Sequence, residues 1–158
     1  MEQIGLDNNI EDIFFVGEYE HTLDKQRRIA IPSCWRKKDS PSRFIILPGR
    51  DNKLQVMPYE HFQDFIKKAK QVSFANAKKR LALAQMGSKA HDCTCDKQGR
   101  IQIPLRLIDY ANLKCDKKEP VVLVGAFDEI QVMTKATWDT LQIADENCLD
   151  LIQAIEED

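Results

Sequence analysis

The residues best suited to chemistry in this sequence sit in two short, matching segments. Asp24-Lys25-Gln26-Arg27-Arg28-Ile29-Ala30-Ile31-Pro32 returns 72 residues later as Asp96-Lys97-Gln98-Gly99-Arg100-Ile101-Gln102-Ile103-Pro104, identical at seven of nine positions. An aspartate at the head of a tight turn accepts hydrogen bonds from the backbone N–H groups that follow it. Asp24 and Asp96 are therefore read as turn formers rather than phosphate ligands. Gly99, at the fourth place, supplies a positive φ without steric cost. Arg27 fills that place in the first copy and carries strain of about 1 kcal/mol if the turn demands the same conformation. The next residue, Arg28 or Arg100, is held beside its aspartate, and its planar fork of donors suits a phosphate or the O6/N7 edge of guanine.

The two copies are not equally basic. Around the first lie Lys25, Arg27, Arg28, Arg36, Lys37, Lys38 and Arg43; around the second lie Lys97, Arg100 and Arg106, with Asp92 and Asp109 close in sequence. Lys25, Arg27, Arg28, Arg36, Lys37 and Lys38 are the candidate polyanion contacts, and Asp24, Asp96, Gly99 and Arg100 the turn supports. The whole chain sharpens this contrast. Residues 1–20 hold six acids and no base; residues 21–118 hold 22 of the 23 Lys and Arg against nine acids; residues 119–158 hold ten acids and Lys135. A middle at net +13 between acidic ends is the charge pattern of a polyanion binder, a class to which proteins that bind double-stranded DNA belong. The helical cations Lys67, Lys68, Lys70, Lys78, Lys79 and Arg80 can equally be solvated helix faces.

Other chemistry finds little support. His21, His61 and His91 are scattered, and no nucleophile motif or phosphate loop accompanies them, so the chain is not read as an enzyme. His91-Asp92-Cys93-Thr94-Cys95 lacks the second ligand pair of a zinc site. In a strand Cys93 and Cys95 share one face and pack as small apolar groups, and no metal or other cofactor is expected. Five cysteines without a leader-like N-terminus point to reduced thiols and a cytoplasmic protein, and DNA binding would make it nucleoid-associated.

The elements that must position the two turns also repeat. Glu18–Leu23 alternates like a half-buried strand, and Arg28–Pro32 resumes the alternation, so Asp24 to Arg27 are read as a turn between paired strands. Pro32 and Pro104 end their strands and lead into short helical pieces at 33–38 and 105–111. The apolar strands Phe44–Leu47 and Val121–Val124 follow, each with a glycine turn (Gly49, Gly125). Leu54-Gln55-Val56-Met57 recurs as Ile130-Gln131-Val132-Met133. Phe62, Phe65, Ile66 and Ala69 have helical spacing within 59–72, and a helix over 137–155, broken near Asp145, matches it. The fold class is α+β with two tandem β-hairpin–helix units. The divisions are an acidic extension at 1–13, a first half at 14–76, a helical linker at 77–90, a second half at 91–145 and an acidic tail at 146–158.

Phe15-Val16-Gly17-Glu18-Tyr19-Glu20-His21-Thr22-Leu23-Asp24 with Arg28–Pro32, and Asp96–Pro104 with Val121–Gly125 and Trp138, resemble the two halves of the MraZ family over roughly residues 14–145. Arg27 stands where that family usually has glycine, and the acidic extension is a second departure. The resemblance implies an AbrB/MazE-like swapped-hairpin barrel within one chain, with flanking helices, and a ring-shaped homo-oligomer. It further implies a transcriptional regulator that binds short direct repeats upstream of division and cell-wall genes, including its own, through Asp24 to Arg28. An antitoxin-like DNA-binding protein that neutralises a toxin is the alternative.

Overall fold

The structure is a computed structural model that describes residues 13–115 and 119–158, so all of the acidic extension but Ile13 lies outside the described residues. Among the described residues eight strands form a six-stranded and a two-stranded antiparallel sheet. In the first half these are β1 (Glu18–His21), β2 (Arg28–Ala30), β3 (Arg43–Pro48) and β4 (Leu54–Pro58). In the second half they are β5 (His91–Thr94), β6 (Arg100–Gln102), β7 (Val121–Gly125) and β8 (Ile130–Thr134). The large sheet has the order β1-β7-β8-β4-β3-β5, and β2 pairs with β6. Exchanging the halves reverses that order and leaves it unchanged, so a pseudo-two-fold axis passes between β4 and β8. Gln55 faces Gln131 there, and on the small ribbon Ile29 faces Ile101.

Sequence reasoning made Asp24–Arg27 a turn between strands that pair with each other, and the pairing corrects this. β1 bonds β7, β2 bonds β6 and β5 bonds β3, so each turn is a corner from one sheet into the other. Leu23, wholly buried, enters the core just before the corner. The expected barrel is also corrected: no closed barrel forms among the described residues. β2 and β6 are three-residue strands cut short by Pro32 and Pro104, which have no N–H to extend a ladder.

The helices follow the sequence pattern with shifted ends. A single 3₁₀ turn, Ser33–Trp35, replaces the first short helix, and α3 (Leu105–Tyr110) is its counterpart. α1 spans Tyr59–Lys70, and α2 (Ala77–Lys89) begins where the Asn76 side chain accepts the Lys79 N–H at 3.1 Å. α4 (Lys135–Thr140) starts earlier than its apolar pattern suggests, because the Thr134 hydroxyl caps the Thr137 N–H. The break falls at 141–144, and α5 runs from Asp145 to Glu157.

One core serves both halves. Leu23, Ile29, Ile31 and Trp35 lie in a single cluster with Ile101, Ile103, Leu107 and Leu123. Trp35 meets Phe15 and Tyr19 edge-on, at ring separations of 5.8 and 5.0 Å. Phe15 in turn exchanges two backbone bonds with Phe127, and a Cβ on Gly125 would lie 2.4 Å from the Phe15 backbone, so only glycine lets the chains approach there. Because Ile29 and Ile101 are buried opposite each other, Ile29→Ala and Ile101→Ala should each cost roughly 2–5 kcal/mol in urea unfolding. A large loss in one variant and almost none in the other would show that the halves do not share this core.

Candidate nucleic-acid interface

Both turns are built by the same bonds. Asp24 Oδ1 accepts from the N–H groups of Gln26 (2.9 Å) and Arg28 (2.8 Å), and its Oδ2 accepts from Arg28 Nε at 2.7 Å. Asp96 repeats this with Gln98, Arg100 and Arg100 Nε, each at 2.9 Å. Burial raises the Asp24 pKa, but bonds from the Arg28 N–H and guanidinium outweigh it and hold the carboxyl below the ordinary range. The Arg100 N–H and guanidinium do the same for Asp96. The aspartates are thus occupied in shaping their turns and aiming their arginines.

Pairing of β2 with β6 then brings the turns together. Ile29 and Ile101 point inward, which sends Arg28, Ala30, Arg100 and Gln102 to the opposite face of the ribbon. Arg100 Nη1 reaches to 3.7 Å from Asp24 Oδ2, and Gln102 Nε2 donates to the Gln26 carbonyl at 2.8 Å. Lys25 and Lys97 are exposed at the two turn tips.

The place that differs between the copies explains two arginines at once. Arg27 has φ +62° and Gly99 φ +78°, so the turn does demand a left-handed residue. Arg27 Nε donates to the Ile103 carbonyl at 3.2 Å, which satisfies a strand end that Pro104 cannot continue. The equivalent carbonyl, Ile31, receives Arg36 Nε at 2.9 Å instead. A Cβ on Gly99 would stand 2.4 Å from the Arg36 guanidinium, so that group fills the space a side chain at 99 would need. One arginine caps each strand end, but from different places in the sequence.

The remaining candidates spread around this centre. Arg36, Lys37, Lys38 and Lys97 line one cleft with Cys95 and Asp96, which joins the cations after β2 to the second turn. Lys38 is exposed, whereas the Lys37 ammonium pairs with Glu60 at the start of α1. Arg43 lies apart, bound to Asp92 and stacked 3.7 Å above the Tyr59 ring. Sequence reasoning kept Lys97 out of the contact set and gave Arg100 only a bracing role. Their signal was available, since an offset of 72 residues equates them with Lys25 and Arg28. Burial pushes the Cys93 thiol up to about 12 and the Cys95 thiol to about 11, so neither is a thiolate at neutral pH. Among the described residues no cluster of three or more His, Cys, Asp or Glu is placed to hold a metal ion, and no helix is long and apolar enough to cross a membrane.

A family model described as "MraZ protein, putative antitoxin-like" matches the chain twice, over residues 14–85 and 86–156. The chain belongs to the MraZ family. Among relatives named "Transcriptional regulator MraZ", that of Clostridium tetani is 34% identical over 79% of this chain and 84% of its own length. The protein of that name from Desulforamulus reducens is 35% identical over the same shares. The one from Pediococcus pentosaceus is 34% identical over 88% of this chain and 94% of its own. The two family matches meet at residue 85/86, within α2, so each repeat takes in one copy of the Asp-x-x-x-Arg turn.

Gly99→Ala is expected to destabilise this MraZ-family chain by about 1–3 kcal/mol, from the left-handed backbone and the displaced Arg36. Arg27→Gly should be near neutral, because relief of about 1 kcal/mol of strain offsets a lost hydrogen bond of similar size. Thermal unfolding of both variants checks the pair of values.

Asp24 and Asp96 have folded pKa values below their unfolded ones. Their contribution to stability is therefore complete above the ordinary aspartate value of about 4 and is lost as pH falls through the folded values. Urea midpoints measured downward from pH 5 should drop below about pH 4. The double variant Asp24→Asn/Asp96→Asn should flatten that drop.

Proposed function

We propose that the chain is a sequence-specific DNA-binding transcriptional regulator whose DNA-facing surface is the outer side of the β2–β6 ribbon. One observation carries this reading: strand pairing sets two aspartate-braced arginines, Arg28 and Arg100, on one face, with Lys25 and Arg27 in the first turn and a cleft lined by Arg36, Lys38 and Lys97 at the second. A two-stranded ribbon fits a major groove about 12 Å wide, and an oriented guanidinium is the commonest reader of guanine there. Lysines at the turn tips are placed for phosphates. The relatives' printed name, with its transcriptional role, agrees with this chemistry.

The finer parts of the reading rest on the resemblance. The crossed strand pairing is a swapped-hairpin arrangement of the AbrB/MazE type held within one chain. The DNA target is a set of short direct repeats upstream of division and cell-wall genes, the chain's own included. Copies assemble into a ring, which multiplies weak single contacts by effective concentration.

Fluorescence anisotropy on the gene's own upstream DNA, with a scrambled duplex as control, tests the interface. Arg28→Ala should weaken binding to the specific duplex by roughly 1–3 kcal/mol per engaged ribbon and narrow the gap to the scrambled one. Arg100→Ala should have a smaller effect, through the loosened Asp24. Lys25→Ala should weaken both duplexes alike and lower the salt slope by about one. Unchanged affinity in a well-folded Arg28→Ala protein would remove the ribbon from the DNA-binding surface.

A further inference from the structure

Two apolar surfaces lie outside the shared core and carry opposite charge. α1 and α2 bury no residue fully, and between them runs a groove lined by Phe62, Phe65, Ile66, Leu83, Met86 and Gly87. Seven basic residues flank it over residues 59–89 (Lys67, Lys68, Lys70, Lys78, Lys79, Arg80 and Lys89), against Glu60 and Asp64. α5 is the complement. Cys148, Leu151, Ile152 and Ile155 fall at i, i+3, i+4 and i+7 beside Leu149, and Leu149 and Ile155 are 69% and 68% exposed. From Asp145 to Asp158 there are six acids and no base.

We propose that α5 of one copy lies in the α1–α2 groove of a second copy, and that this head-to-tail contact builds the assembly; it rests on the homo-oligomer part of the reading above. The three helices match in length, at 13 residues for α5 and α2 and 12 for α1. Apolar stripe on apolar groove, with acids against a basic rim, is the helix-in-groove mode of recognition. Topology starts the groove's first helix and the arm that carries the tail from opposite ends of the central strands. β4 and β8 are antiparallel neighbours, so α1 leaves one end of that central pair and α4 the other. The link at 141–144 spans at most about 14 Å, which favours a second copy's groove over the chain's own. A contact between two different surfaces propagates from copy to copy and closes into a ring when its rotation permits.

Full-length variants test each side. Ile152→Glu/Ile155→Glu puts charge on the α5 stripe. Gly87→Glu puts charge in the groove without disturbing its own chain, since a Cβ there meets nothing within 4 Å. By sedimentation velocity at micromolar concentration, the unaltered chain should be a multimer that shrinks in 1 M salt, and each variant a folded monomer by circular dichroism. An equimolar mixture of the two should give a species of twice the monomer mass, through the intact groove of one and the intact α5 of the other. Variants that stay the size of the unaltered chain, or a mixture that stays monomeric, overturn the contact while leaving assembly itself standing. A monomeric unaltered chain removes the assembly reading and this contact together, and the anisotropy measurements on DNA remain a separate test of the ribbon.

Discussion

Neither half of this chain pairs all of its own strands. Among the described residues, β1 pairs only with β7, β5 only with β3, and β2 and β6 only with each other. A buried backbone N–H or carbonyl without a partner costs as much as a lost hydrogen bond or more, so each half is obliged to complete the other. The crossing sets Ile29 opposite Ile101 and makes one core from two short repeats, with twenty buried members among the described residues. Everything at the candidate interface follows from that crossing, because it carries two turns 72 residues apart onto one ribbon.

The pseudo-symmetry is close enough to expose where it is broken. Both turns need a left-handed residue at the fourth position, and both strand-end carbonyls, Ile31 and Ile103, take a side-chain donor. The first turn meets both needs with one residue, Arg27, at the expense of backbone strain. The second divides them, with Gly99 taking the conformation and Arg36 the carbonyl. Arg36 corresponds by offset to Ile108, a core residue, so its polarity has no counterpart in the other half. Duplicated sequences that share one core are free to drift in this way, because a group delivered from either half satisfies the same atom.

Charge is sorted by surface as well as by sequence. The ribbon side sets Arg28, Arg100, Lys25 and Lys97 against two aspartates that each accept hydrogen bonds within their own turn, so cations outnumber acids there. A second positive surface lies along α1 and α2, and the negative charge is concentrated on α5. These are separate basic regions with separate apolar backing, and a net charge of −2 hides both.

By itself the sequence determined the duplication, the α+β class, the strand and helix positions to within a few residues, and the form of each turn. These depend on local chemistry: alternation, proline and glycine at fixed places, and an aspartate whose side chain accepts hydrogen bonds from residues two and four ahead. It also marked Arg28 as an oriented donor, since Asp24 is its near neighbour in the chain. Only the tertiary structure decided that β1 and β2 part company at Asp24–Arg27, that Arg100 and Lys97 join the first copy's cations, and that Lys37 turns away to Glu60. Those outcomes depend on which strand satisfies which ladder across more than seventy residues. Hairpin and crossed pairings bury the same side chains in alternation, so periodicity alone does not separate them. Arg36 shows the same limit in one residue: its type is written in the chain, but its task is set by an empty place beside Gly99 in the opposite half.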